Sequence, residues 1–426
     1  MVRESETHSF LQLSNCNLDC SGLSALGLSR QAELERAEEV FNAFCNALMA
    51  AQNRKVDSIF IVGNLWQTQS VNQLTIARVL DAFSQLGDLP VFLAPGKEDA
   101  CAPDSPYNPM FLRALGLPPF SANVHIFTQD QYSCLVHPQF PDVGVFGRSF
   151  TSARDGKLSQ LKKLLQKNNR PKLKILLVNE PVEGFYAPQD LKKSEEESVL
   201  AEQELISAGF DYFALGFGSN QAKLFTAKGK LVGAQSGTLT GQSFSQTGIR
   251  YALIGSLKRD SNMQISCTVE PVEFDNRRAW TYSTDMTGLD AQEAILEIMQ
   301  SLQDLGARKD LDYVNLELEG RYKVGQEPTG IIEKIKESFA HVVLRDNTRP
   351  NYLTEKFGPA STEARFIHAM LVLKKEAEKR MTSESSDDAS KGLSGIVHLT
   401  GSIVEDALYY GLDALQQKKV NLRNVD

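Results

Sequence analysis

The stretch "FIVGNLWQTQS", Phe60 to Ser70, carries the reading of this chain. Its apolar opening reads as a buried strand, and Gly63 breaks that strand into a polar loop. Two amide side chains, Asn64 and Gln67, stand just past the break. The end of a buried strand is where an α/β protein keeps its working residues. The loop therefore poses a chemical question: what can amides do where chemistry is expected?

The surrounding sequence repeats the same grammar. A strand is expected over 9–14, an amphipathic helix over 30–51, and a second strand over 57–63. A helix over 73–87 and a strand over 90–96 follow. This alternation predicts neighbouring parallel strands with functional loops at their carboxyl ends. Further strands are expected at 142–150, 173–179 and 211–218, and then only strands and turns at 229–237, 248–257 and 263–274. Residues 280–345 alternate again, with helices over 290–305 and 328–339 and strands over 313–320 and 341–346. An amphipathic helix over 361–380, a polar linker over 381–392 and a last helix over 395–418 complete the chain.

The chain has 426 residues, enough for two or three domains. Its composition, 42% hydrophobic and 23% charged, is that of a soluble globular protein. No apolar run is long enough to span a bilayer, and the first ten residues lack the apolar core of a signal peptide. A cytoplasmic protein without membrane contact is expected. Six cysteines without framework spacing fit reduced thiols. A net charge of −8 argues against a wholly basic nucleic-acid binder. One local exception is the stretch 157–174, which has seven basic residues and no acidic one. Lys162, Lys163, Lys167 and Arg170 are its candidate nucleic-acid patch. The same charges also suit the solvated face of a surface helix, with Leu158, Leu161, Leu164 and Leu165 turned inward.

The strand ends carry "SNCNLD" (14–19), "GNLWQ" (63–67), "PGKEDA" (95–100), "VNEP" (178–181) and "LGFGSN" (215–220). In this order and spacing the chain resembles the calcineurin-like metallophosphoesterases, and within them the SbcD-type DNA repair exonucleases, including a YhaO-like branch. The resemblance covers nearly the whole chain, including "VFGRSFTSAR" (145–154) and the turn-rich "GAQSGTLTGQSFSQTGIRYALIGSL" (233–257). It implies a four-layer α/β/β/α core of two packed mixed β-sheets flanked by helices, over residues 1–275. A small α/β capping domain over 276–350 and a C-terminal helical region over 351–426 would follow.

The resemblance also implies two metal ions, typically manganese, whose ligands map onto residues of other kinds here. The Asp-x-His pair maps to Asn15 and Asn17, the bridging Asp to Asn64, and the outer Asp of that motif to Gln67. The Asn ligand maps to Lys97, and the His beside it, the family's proton donor, to Glu98. The downstream His maps to Asn179, and the final His pair to Phe217 and Ser219. Only Asp99, a non-ligand of the family motif, is kept. Two dications at the ~3.5–4 Å spacing of such centres need anionic oxygens and neutral imidazoles. Amides bring no negative charge, and a lysine cation ~4 Å from a dication costs about 8 kcal/mol at an effective dielectric near 20. The expectation is a vestigial pocket without metal or catalytic residues.

Other readings use neighbouring residues. Cys16, Asp19, Cys20, Cys101, Glu98 and Asp99 are thiols and carboxylates of the kind zinc accepts, although no CxxC or His motif accompanies them. An active phosphoesterase or nuclease on such non-standard ligands is the alternative to an inactive one. Lys97 could contact a phosphate, or could pair with Glu98 or nearby amides. The six histidines fall outside the motif loops and read as ordinary core or surface residues. "GFGSNQ" (216–221) is not a dinucleotide loop, because its third glycine position is Gln221.

By resemblance, the C-terminal helices would grip an SbcC-like coiled-coil ATPase, DNA would be a second partner, and the core would form a homodimer. The same helices could equally pack on their own domain. The expected function is a pseudonuclease acting as a binding or regulatory subunit in DNA processing.

Overall fold

The structure, a computed structural model, describes residues 7–150, 161, 163–166, 171–186, 199–218, 222–324, 328–354, 357–383 and 400–417. Tertiary contacts divide the chain into two compact units, Met1–Trp280 and Thr281–Asp426.

The first unit contains two six-stranded mixed sheets. One holds the parallel strands β1 (Thr7–Leu13), β2 (Ser58–Val62), β3 (Val91–Ala94) and β4 (Val124–Ile126). Strand order is completed beyond β1 by antiparallel β11 (Ala252–Arg259) and β12 (Ile265–Val272). The other sheet runs β5 (Ser133–Val136), β6 (Val143–Gly147), β7 (Leu173–Val178), β8 (Tyr212–Leu215), β10 (Lys230–Gln235) and β9 (Lys223–Ala227). Its four inner strands are parallel and its two edges antiparallel.

All five residues of β2 are buried, as befits a parallel strand covered on both faces. Phe10, Phe60, Phe92, Val145, Ile175 and Tyr212 fill the layer between the sheets. The outer face of the first sheet packs on α1 (Arg30–Asn53) and α2 (Gln73–Ser84), through Phe41, Phe44, Val79 and Phe83. A short α3 (Pro109–Ala114) adds Leu112 beside α2. The outer face of the second sheet is covered by α4 (Glu202–Ser207) and Leu161. This is the expected four-layer α/β/β/α core. Asn72 caps α2 and Ser29 caps α1, each accepting a first-turn amide.

The strands and helices expected of this unit are present, with ends displaced by a few residues. Helix 73–87 stops at Ser84 and strand 211–218 spans only Tyr212–Leu215. The short β4, β5, β9, α3 and α4 are additions to the expected set, because so few residues show too little periodicity to separate from loop.

The second unit has a three-stranded sheet, β13 (Ala279–Asp285, entering the unit from Thr281), β14 (Tyr313–Glu319) and β16 (His341–Asp346), in that order. The two-residue strands β15 (Arg321–Tyr322) and β17 (Arg349–Pro350) pair with each other. Helix α5 (Ala291–Leu305) opens on an Asp290/Glu293 capping box and ends at Gly306 in the left-handed region. Helix α6 (Thr329–Lys336) packs against α5. The last helices, α7 (Thr362–Ser383) and α8 (Gly401–Gln417), pack on each other and on their own unit. Tyr352, Leu408, Tyr409 and Leu412 form that core, and the Tyr352 hydroxyl donates to Asp413 at 2.6 Å. The first three residues of the expected 381–392 linker continue α7, and its remainder lies outside the described residues. No helix among the described residues is long and apolar enough to cross a membrane.

Candidate functional site

The loops after β1, β2, β3 and β8 meet at one end of the two sheets. Backbone bonds lace the first two together, from the Asn15 N–H to the Gly63 carbonyl at 3.0 Å and from Asn17 to Asn64 at 3.1 Å. The Gly63 N–H then donates to the Ala94 carbonyl at 2.8 Å. Such tight lacing needs sharp turns, and Asn15, Asn17 and Asn64 all adopt left-handed backbone conformations. Asparagine is among the few non-glycine residues that take that conformation at low cost. Two glycines make the approach sterically feasible. A Cβ on Gly96 would lie 2.4 Å from the Asn64 Oδ1, and one on Gly216 would lie 2.0 Å from the Val62 carbonyl.

The asparagines then bond to one another. The Glu98 N–H donates to the Asn64 Oδ1 at 3.0 Å, and the Asn64 Nδ2 donates to the Asn15 Oδ1 at 2.7 Å. The Asn15 Nδ2 donates to the carbonyls of Gly216 and Gly218, at 2.8 and 2.6 Å. One relay of amides thus joins the loops after β3, β2, β1 and β8. An amide can do this because it carries both donors and acceptors, whereas two facing carboxylates would need a cation or proton between them. Both carbonyl oxygens of the relay already accept a bond.

Above the relay lies a cavity of about 380 Å³. Asn15, Asn17, Asn64, Lys97, Glu98 and Phe217 all line it, with Gln67 and Gly218. Asn179 is not on its wall: it is buried beside Gly63, where its Nδ2 donates to the Ala94 carbonyl at 3.3 Å and also to that of Pro95. Ser219 lies outside the described residues. Three further wall residues, Thr238, Ser245 and Gln246, are absent from the set expected from sequence. They come from the loop after β10, which in sequence reads only as turns between core strands. The stretch 236–246, rich in Gly, Ser, Thr and Gln with only Leu239 and Phe244 between them, is the available signal. The Gln242 Nε2 ties this loop to the Cys16 and Asn17 carbonyls at 3.1 and 3.3 Å.

The carboxylates nearby are engaged in holding loops. Asp99 is fully buried and accepts from the Asn64 N–H at 3.0 Å, the Leu65 N–H at 2.8 Å, the Tyr107 hydroxyl at 2.7 Å and the Gly96 N–H. Burial pushes its carboxyl up to about 6, against the pull of those four donors. Asp19 accepts from the Gln67 N–H at 2.8 Å and the Ser70 hydroxyl at 2.7 Å. Cys16 is buried, and desolvation holds its thiol protonated well above the usual range. Among the described residues, no three His, Cys, Asp or Glu side chains gather where they could share a metal ion. As a cation-binding set the wall is poor: its amide oxygens are neutral and partly spent, and Lys97 adds positive charge.

Two further groups support the site from behind. A buried Arg148–Glu180 pair, with the Tyr132 hydroxyl donating to Glu180 at 3.0 Å, follows β6 and β7. Buried Arg36 on α1 grips Asp275 with two bonds of 2.8 and 2.7 Å and donates to the Gly241 carbonyl at 2.8 Å. Of the basic stretch, Lys163 is exposed while Leu161 is buried and Leu164 and Leu165 are half-buried. Lys162, Lys167 and Arg170 lie outside the described residues.

No protein-family model matches the chain, and no curated protein matches it. Among solved structures, the chain is similar to one described as the crystal structure of TT1561 of Thermus thermophilus. That likeness covers 62% of this chain and 98% of the other, at 15% identity and a TM-score of 0.33.

Proposed function

We propose that this protein is a catalytically inactive, SbcD-type metallophosphoesterase homologue that works as a metal-independent binding or regulatory subunit. The observation that carries the reading is the relay Glu98–Asn64–Asn15–Gly216, in which amides join the strand-end loops at the positions the resemblance gives to metal ligands. Loops that are cross-linked by neutral side chains keep their shape without a dication. A partner for the C-terminal helices is part of the same proposal. One face of that pair is spent on its own unit, while Leu371, Val372 and Leu373 on α7 and Ile403 on α8 remain 39–45% exposed. An SbcC-like coiled-coil ATPase is the partner proposed there, with DNA and a second copy of the chain as further partners in DNA processing.

The test soaks purified protein in manganese, magnesium or zinc and measures bound metal together with turnover of a model phosphodiester and of oligonucleotides. Substoichiometric metal and no turnover are expected. Stoichiometric metal with turnover abolished by Glu98→Ala would establish the opposite reading, an enzyme with non-standard ligands. Asp99→Ala is a poor probe, because it removes the brace of two loops along with any chemistry.

A further inference from the structure

We propose that the strand-end cavity binds a nucleobase, an uncharged flat heterocycle with donors and acceptors along one edge. The inference rests on the metal-independent binding role above and names the ligand chemistry of that same site. Its size, about 380 Å³, falls within the roughly 300–1,000 Å³ of small-molecule pockets.

The groups left over after the relay is satisfied are of one kind. The side-chain amides of Asn17 and Gln67 line the cavity and have no side-chain hydrogen bond among the described residues. Thr238, 1% exposed, also lines it, and its hydroxyl has no partner among the described residues. Each of these groups both donates and accepts. Among the described residues, the only charged side chains on the wall are Lys97 and Glu98, adjacent and opposite in sign. A phosphate would meet one cation and one carboxylate there, and a dication would meet the reverse. A neutral ligand meets no net charge.

Among neutral ligands, a base fits best. Asn and Gln amides pair in two-pronged fashion with amide-like base edges. Phe217 supplies an aromatic wall for a π face, held edge-on by Tyr186 with ring centroids 6.5 Å apart. The base could belong to a free nucleoside or to a nucleic-acid strand, and the experiment separates the two sources.

Calorimetric titrations would use the full chain in chelator, with adenosine, guanosine, cytidine and thymidine, and with ribose and inorganic phosphate as controls. Short single-stranded oligonucleotides would be compared with an abasic strand of the same length. At least one nucleoside is expected to bind 1:1, while ribose and phosphate do not. Gln67→Ala and Thr238→Val should each weaken binding about tenfold, a loss of ~1.4 kcal/mol. Asn17→Gly, which keeps the left-handed backbone, should do the same. Tighter binding of the intact strand than of the nucleoside would identify a strand as the source; equal or weaker binding would identify the free nucleoside. No nucleoside binding, or binding indifferent to all three variants whose thermal unfolding is unchanged, overturns the inference. Failure of the metal-independent reading is read separately, from bound manganese in the chelator-free protein.

Discussion

At the scale of single residues, Asn64 is the side chain on which the site turns. Its Nδ2 donates to Asn15 and its Oδ1 accepts from the Glu98 N–H, so the amide is used in both senses. Asn64→Asp is close in shape but sets one carboxylate oxygen against the Asn15 Oδ1. The variant should lose about 1–3 kcal/mol of stability by urea denaturation, the cost of an unmet and partly repulsive contact in a partly buried site. Its deficit should shrink in acid, where the new carboxyl is protonated and can donate. A variant as stable as the parent at neutral pH would mean that the relay does not hold the loops. Asp99 illustrates a different lesson. In sequence it reads as a carboxylate at a strand end, free for chemistry, yet its buried carboxylate is committed to backbone amides of the Asn64–Leu65 and Gly96 turns.

At the scale of elements, the loop after β10 is held over the cavity by a clamp from α1. Arg36 and Asp275 are each 1% exposed at the side chain, and Asp275 also accepts from the Gly241 N–H at 2.8 Å. The carboxylate and the Glu39 beside it keep the guanidinium charged despite its burial. Arg36→Met removes one partner and leaves a buried carboxylate, for an expected loss of about 3–5 kcal/mol. The double variant Arg36→Met with Asp275→Leu should recover part of that loss. Chemical denaturation of the single and double variants measures both, and additive losses would show that the two residues do not act as a pair. Nothing in the sequence joins Arg36 to Asp275, since 239 positions separate them. The strands are legible because apolar runs announce themselves locally. The clamp is not, because a lone arginine in a helix reads as surface until tertiary packing encloses it.

At the scale of the whole molecule, the layer between the sheets contains a titrating group that ties stability to pH. His8 on β1 stacks against Phe60 and meets the ring of His137 at 5.3 Å, edge to face. The His137 Nδ1 accepts from the Gln139 and Phe140 N–H groups, both at 3.1 Å, so its proton sits on Nε2, which donates to the Asp57 carbonyl at 2.9 Å. Burial pushes the His8 imidazole down to about 3 from the 6.5 of a free ring. Between those values the unfolded chain holds a proton that the folded one does not, so stability rises with pH across the window. The His8 contribution is complete above pH 6.5 and is lost as pH falls toward 3, roughly 4–5 kcal/mol in all. Asp99 opposes this from pH 3.8 to about 6, where the folded carboxyl keeps a proton that the unfolded one has released. Comparing the acid unfolding of the parent with His8→Phe isolates the histidine, and the variant should show the shallower acid slope. Identical slopes would place the His8 ring in contact with water.

The sequence by itself determined an α/β core of neighbouring parallel strands with loops gathered at their carboxyl ends. Alternating apolar strands and amphipathic helices leave few ways to bury their faces, and the strand-end glycines mark where the loops must cross. It also determined which residue types stand at those ends, mainly amides and a lysine. Tertiary structure alone decided how they are used. It turned Asn179 behind the wall, committed Asp99 and Asp19 to backbone bonds, and brought Thr238, Ser245 and Gln246 in from a distant loop. The reason is physical: a strand's burial is written in its own few residues, whereas a hydrogen bond's partner is chosen only when loops far apart in sequence are packed together.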